Sequence, residues 1–258
     1  MQIITRVKNN LSDTMVMSGR CMRHAFRSMD TLITVIATPI FMMLMFVYVF
    51  GGAIDTGSIN YINFVVPGIV IMCIATGTAY SAMRLNNDMT KGIIDRFRSM
   101  PIAKSSILAA HVLTSVVFNT FSVVVVMLSA ILMGFRTQAG ITEWLVVIGI
   151  LLLFTLALTW ISMMFGLLAN SMEGAVGYSY LFLILIFLSS AFVPIKSMHG
   201  IVRSFAEYQP MTPIIESIRS LLTGVPAGNS ALISVLWCSG MLITSYIAAM
   251  QIYKHKLA

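Results

Sequence analysis

The sequence predicts an all-α integral membrane fold, and three observations predict it. Mean hydropathy is +0.92, 58% of residues are hydrophobic and only 10% are charged; a water-facing surface usually carries about 25–35% charge. Six apolar runs, at 31–52, 61–83, 107–133, 144–169, 175–193 and 230–253, take up most of the 258 residues. Each is close to the ~20 helical residues that cross a hydrocarbon core of roughly 30 Å. The runs are continuous and do not alternate in steps of two. Backbone polar groups in lipid must be satisfied internally, so helices are expected and a barrel is not.

Ahead of the first run, residues 1–29 read as an amphipathic interfacial helix. Ile4, Val7, Leu11, Met15, Met22, Phe26 and Met29 fall on one arc, with Arg6, Asn9, Asp13, Arg20, Arg23 and Arg27 opposite. Lys8, near the apolar arc, can snorkel to headgroups. The helix is either an anchor on anionic lipid or a docking surface for a cytosolic partner. No signal peptide is expected, because the first strongly apolar run begins only near Thr31. Pro39 in the first run and Pro67-Gly68 early in the second are expected to kink or break those helices.

Between spans two and three, Met89, Ile93, Phe97 and Met100 recur at steps of four or three, while Lys91, Asp95 and Arg98 share another face. This spacing predicts a short helix starting near Asn87-Asp88 and stopped by Pro101. So short a helix needs something to pack on. It is either a loop lying on headgroups or a knob whose apolar face enters a cytosolic subunit. In span three, Thr114, Ser115, Asn119, Thr120, Ser122 and His111 read first as interhelical glue.

The stretch 195–229 is too apolar for a free loop and too interrupted for a span. Pro194, Pro210, Pro213 and Pro226 cut it into helical pieces near 197–208 and 212–223. Two half-length helices entering and leaving from one side would form a re-entrant hairpin, a gate or a structural cap. Glu207, Glu216, Arg203 and Arg219 are expected to sit shallow there or to pair with one another, because charges are costly at depth. The final run, 230–253, is span six.

Charge orients these pieces. With the N-terminus inside, twelve Lys and Arg residues lie on the cytoplasmic side and only Arg136, Lys196, Arg203 and Arg219 outside, so both termini are expected in the cytoplasm. The net charge of +7 is then mostly membrane topology and calls for no nucleic acid. Cys21, Cys73 and Cys238 stand far apart, and the four histidines show no metal spacing, so the cysteines read as packing residues. No buried acid or base lies near the centre of a span, as an ion-coupled carrier would often need. The sequence holds no G-x-x-x-x-G-K-[ST] phosphate loop and no H-E-x-x-H or G-x-S-x-G motif, so it offers no catalytic residues and no fuel of its own.

Taken in order, Pro67-Gly68, the segment Asp88-Met89-Thr90-Lys91-Gly92 with Arg96 and Met100-Pro101-Ile102, the run Ser190-Ala191-Phe192-Val193-Pro194 and the run from Phe205 through Glu207 and Pro210 to Pro213 resemble an ABC-2 type exporter's membrane subunit. The resemblance is to the bacterial drug-resistance permease group and covers essentially the whole chain. It implies one transmembrane domain over 1–258, with the segment after span two as a coupling helix. Asp88, Lys91, Gly92, Ile93, Arg96, Phe97, Met100 and Pro101 would then contact an ATPase. It also implies an outer re-entrant gate with Phe205, Glu207, Pro210, Pro213, Glu216 and Arg219. The implied partners are two copies of a cognate ABC ATP-binding subunit, which carry ATP and Mg, a second permease subunit and membrane lipids. The implied substrate is hydrophobic or amphipathic, exported across the bacterial cytoplasmic membrane. A lipid-linked glycan or envelope polymer is the alternative cargo, and an ATPase-independent channel or carrier the more distant one.

Overall fold

The computed structural model describes residues 2–54, 59–98, 104–178 and 180–256, with side chains described from Thr14 onward except at 95, 97, 98, 104 and 105. Every regular element among them is helical. Helix α1 (Gln2–Arg27) leads into α2 (Met29–Leu44), which a π-helical turn, Met45–Phe50, extends. Then come α3 (Tyr61–Thr90), the short α4 (Ile93–Arg98), α5 (Lys104–Leu132) and α6 (Ile141–Leu168). Two short helices, α7 (Met172–Gly177) and α8 (Tyr180–Phe187), precede α9 (Gly200–Tyr208), α10 (Met211–Leu222) and α11 (Ser230–Lys256).

Five helices are long and apolar enough to cross a membrane: Met29–Phe50, Tyr61–Thr90, Ser106–Leu132, Ile141–Leu168 and Ser230–Lys256. They match five of the six apolar runs. The remaining run, 175–193, is not helical to its end: the helical backbone stops at Phe187. The reason lies in who satisfies its carbonyls. Ser189 donates to the Ile186 carbonyl and accepts from the Ala191 amide, while the Gln209 side-chain amide donates to the Leu185 and Leu188 carbonyls at 2.9 Å each. Acceptors that a continuing helix would use internally are taken by side chains.

α3 is the central post. It touches α2, α5, α6, α7, α8 and α10, and 89% of its apolar stretch is buried, against 17% for α2 with its extension and 17% for α11. Those two helices leave most of their apolar surface, including Ile33, Phe41, Leu236 and Ile243, uncovered by the chain. Close approach to α3 is set by small residues. Gly68 faces Ala191, and Gly166 of α6 faces the Ala82 backbone.

Neither proline breaks its helix. Pro67 stands in the second turn of α3, and Pro39 lies inside α2. Pro39 has no amide to give the Val35 carbonyl, and the Cys73 thiol of α3 donates there instead, at 3.7 Å. Cys73 is thus more than filler: it pairs a carbonyl that the proline orphans.

α1 lies along α5. Among its described side chains the buried ones are Met17, Ser18, Cys21 and Ala25, while of the arc of larger side chains that periodicity selects Met15 is exposed and Met22 and Phe26 are half-buried. Small residues let the helices close up, and Phe26 then meets Phe118 and Phe121 edge-on at 5.5 Å.

Candidate functional site

One end of the bundle gathers α1, the end of α3, α4, the start of α5 and the ends of α6 and α11. A second apolar cluster closes it, with Met17, Leu85, Ile94, Ile107, Met163 and Tyr253 among its members. The helix expected to begin at Asn87-Asp88 does not: α3 runs on through Thr90, and the break falls at Lys91-Gly92. The Lys91 amide bonds the Asn87 carbonyl and the Gly92 amide the Met89 carbonyl. Gly92 adopts φ +66°, the left-handed geometry that ends helices and that side chains resist. From this turn α4 departs, seated by Ile94, which is buried, with Lys91 and Arg96 exposed and Ile93 half-buried. The Phe97 side chain, Met100 and Pro101 lie outside the described residues.

Because α3 is longer than its apolar run, three polar residues beyond that run are drawn into the bundle. Arg84 is buried, donates to the Ser81 hydroxyl at 2.9 Å and lies 5.4 Å from the Phe118 ring centre. Asn86 donates to the Gly166 and Ala169 carbonyls at 3.1 and 2.7 Å, capping the end of α6. Asp88 turns inward, 3.4 Å from Arg20 of α1 and 3.5 Å from His111 of α5. Of the residues expected to meet an ATPase, Asp88 is therefore an internal brace, while Lys91 and Arg96 face outward. Burial first, and the Asp88 carboxylate second, push the nearby Cys21 thiol above its ordinary pKa. Asp88→Asn is expected to cost about 1 kcal/mol, since Arg20 is well exposed. It should also raise the rate of tryptic cleavage after Arg20 and Arg23, read by mass spectrometry.

Above this end, α5 carries a polar seam into the bundle. The Ser115 and Thr159 hydroxyls meet at 3.0 Å across α5 and α6, and Asn119 donates to the Ser115 carbonyl at 2.8 Å. Thr114 and Ser122 bond carbonyls of their own helix. The glue reading therefore holds for the pair that spans two helices. Thr120 takes another place, on the wall of an apolar cavity of about 320 Å³ between α3, α5, α6 and α10, with Val70, Met127, Trp144 and Ile218.

At the opposite end the six residues expected to form a gate do not converge. Phe205 and Glu207 sit on the exposed α9, where Glu207 pairs with Arg203 at 2.9 Å. Pro210, Pro213 and Glu216 are half-buried. Arg219 is buried, 7% exposed, and forms no ion pair among the described residues. It donates to the Phe64 carbonyl at 3.0 Å and to the Ser190 carbonyl, with its guanidinium carbon 3.7 Å from the Phe64 ring centre. Tyr61 reinforces the joint by donating to the Phe192 carbonyl at 3.0 Å, and Gln209 holds α8 as described. Sequence reasoning missed this role of Gln209, whose only signal was a polar residue directly before Pro210.

A bundle of long apolar helices, a buried polar seam and a short cationic knob carried at one end define a polytopic membrane protein of the transporter type. The chain belongs to the ABC-2 type transporter family, whose profile matches residues 12–223. It is similar to the daunorubicin resistance ABC transporter permease protein DrrB1 of Streptomyces coeruleorubidus, with 30% identity over 229 residues, 88% of this chain and 81% of that protein. It is also similar to the probable doxorubicin resistance ABC transporter permease protein DrrC of Mycobacterium tuberculosis, with 22% identity over 238 residues, 90% of this chain and 85% of that protein.

Proposed function

We propose that this chain is the permease subunit of an ATP-driven exporter that moves a hydrophobic or amphipathic, drug-like compound out across the bacterial cytoplasmic membrane. It spans the membrane six times, with α7 and α8 together as the fifth span and α9–α10 as an outer re-entrant hairpin. Both termini lie in the cytoplasm. Two permease subunits pair, either as a homodimer or as a heterodimer, and each engages one copy of a separate ABC ATPase that binds ATP and Mg. The permease itself catalyses no reaction.

The observation that carries this reading is α4: a short helix seated on the bundle by Ile94 that presents Lys91 and Arg96 outward beside a glycine-dependent turn. A force applied there is delivered to the end of α3, which touches most of the bundle. ATPase closure would shift a two-state arrangement of the helices. The apolar cavity of about 320 Å³ suits a greasy cargo. The resistance named for the two relatives supports that class.

The test is ATP-dependent export from vesicles holding this chain and its cognate ATPase. Gly92→Val forces a β-branched residue to φ +66°, a strain of about 1–3 kcal/mol, and Arg96→Glu reverses an exposed charge. Each is expected to reduce export about tenfold or more and to weaken co-purification of the ATPase, with the permease still folded. Undiminished export and co-purification in both variants would refute the coupling role.

A further inference from the structure

The cavity at the junction of α1, α3 and α5 has no part in the reading above. The Cys21 thiol, an Asp88 carboxylate oxygen and a His111 ring nitrogen lie within 4.8 Å of one another. They come from three helices and stand 67 and 23 residues apart, from 21 to 88 and from 88 to 111, so no local spacing could reveal them. Cys21 and His111 are buried and Asp88 is half-buried. The cavity among them holds about 20 Å³, the room of a single water or ion, which needs at least roughly 10–15 Å³. His24, one helical turn beyond Cys21 on the same face, also lines it.

We propose that this cavity is a binding site for a zinc-like divalent transition metal, with Cys21, Asp88 and His111 as ligands and His24 within reach as a fourth. A thiolate, imidazoles and a carboxylate form the donor set that zinc takes in tetrahedral geometry. Metal–donor distances of about 2.0–2.3 Å put donors roughly 3.3–3.8 Å apart, so the three must close by about 1 Å, within the range of rotamer adjustment. Arg20 and Arg84 also line the cavity and oppose a cation. Two things offset them. Cys21 gives up its proton on binding, so thiolate and carboxylate together match the charge of the ion. Arg20, with 42% of its side chain exposed, can yield the Asp88 carboxylate to the metal and remain at the surface. An occupied site would fasten α1 to α3 and α5 three residues before the Lys91-Gly92 turn, bracing the end that carries α4.

The test uses the purified full-length chain in detergent, with a histidine-free tag, titrated with cobalt(II) as a spectroscopic stand-in for zinc. The expected result is a thiolate-to-cobalt charge-transfer band with the strong visible bands of tetrahedral cobalt, saturating near one equivalent and displaced by zinc. Cys21→Ser should abolish the charge-transfer band, and His111→Gln should weaken cobalt binding about tenfold or more. Cys73→Ser and Cys238→Ser should keep both. Should either altered ligand fail to yield monodisperse protein, Cys21→Ala and His24→Gln replace them with the same expectations. Absence of the band in the unaltered chain at about a hundredfold excess of cobalt, or a band that survives loss of the Cys21 thiol, would overturn the proposal and leave only the Arg20–Asp88 ion pair with His111 beside it. None of these readouts depends on transport or on an ATPase, so failure here leaves the exporter reading standing.

Discussion

Replacing Arg219 with alanine is expected to unseat α10 and lower the stability of the folded bundle by about 3–5 kcal/mol, the sum of two hydrogen bonds from a charged donor. The side chain joins three parts of the chain. Its Nε donates to the Phe64 carbonyl near the start of α3 at 3.0 Å, its Nη2 donates to the Ser190 carbonyl beyond α8, and its plane rests on the Phe64 ring. Hydrogen bonds from a charged donor contribute about 1.5–3 kcal/mol each. Phe64 and Ser190 are themselves buried, so leaving their carbonyls unpaired adds to the loss of the contacts. Arg219→Lys separates geometry from charge. Lysine keeps the positive charge but loses the fork that reaches two carbonyls and the flat face that stacks on Phe64, so it should recover at most about half of the loss. At the roughly 2–4 °C per kcal/mol usual for a chain of this size, thermal unfolding in detergent should fall on the order of 10 °C for alanine and visibly less for lysine. Equal melting of all three proteins would show that α10 is held by apolar packing alone.

That result bears on what the sequence could and could not convey. Apolar runs announce helices because lipid admits little else, and five of the six runs are single helices long enough to cross. The breaks in the outer segment were legible at Pro210, since proline supplies no amide and restricts the residue before it. Which helix stands in the middle was not legible. In lipid an apolar residue suits both the outside and the core, so α2 and α3 read alike, yet α2 is largely uncovered and α3 almost wholly enclosed. The early helix end in the run 175–193 was hidden for a related reason: its carbonyls are satisfied by Gln209 and Arg219, well downstream, and no local pattern encodes partners at that distance. Arg84, Asn86 and Asp88 lie beyond the apolar run 61–83, where charge and amide groups mark its end. The helix goes on past that point, and its polar end is enclosed by α1, α5 and α6. A short helix through Ile93 was legible in the apolar spacing, though it begins at Ile93 and not at Asn87-Asp88. The inward turn of Asp88 required α1 and α5 in place.

Gly166→Leu is expected to part α3 from α6 and to cost about 3–5 kcal/mol, whereas Gly149→Leu in the same helix should leave stability unchanged or raise it by up to about 1 kcal/mol. A Cβ on Gly166 would lie 2.7 Å from the Ala82 carbonyl oxygen and 3.2 Å from the Ala82 Cα. These are backbone atoms of the most buried of the five long apolar helices and cannot swing aside. A Cβ on Gly149 would meet nothing within 4 Å, and that position is exposed. Helix propensity favours leucine over glycine by most of 1 kcal/mol at both sites, so any difference between the variants reports the contact. Overpacking alone costs about 1–3 kcal/mol. The rest comes from Asn86, whose amide reaches the Gly166 and Ala169 carbonyls only while the helices touch; two interhelical bonds in a membrane protein add about 0.6–1.7 kcal/mol each. Asn86→Ala alone should therefore reproduce part of the loss, and combined with Gly166→Leu it should add little, because the second change removes bonds that the first has already broken. Thermal unfolding of the four variants decides the matter. Full additivity of Gly166→Leu and Asn86→Ala, or equal melting of Gly149→Leu and Gly166→Leu, would show that α3 and α6 are not held at backbone contact.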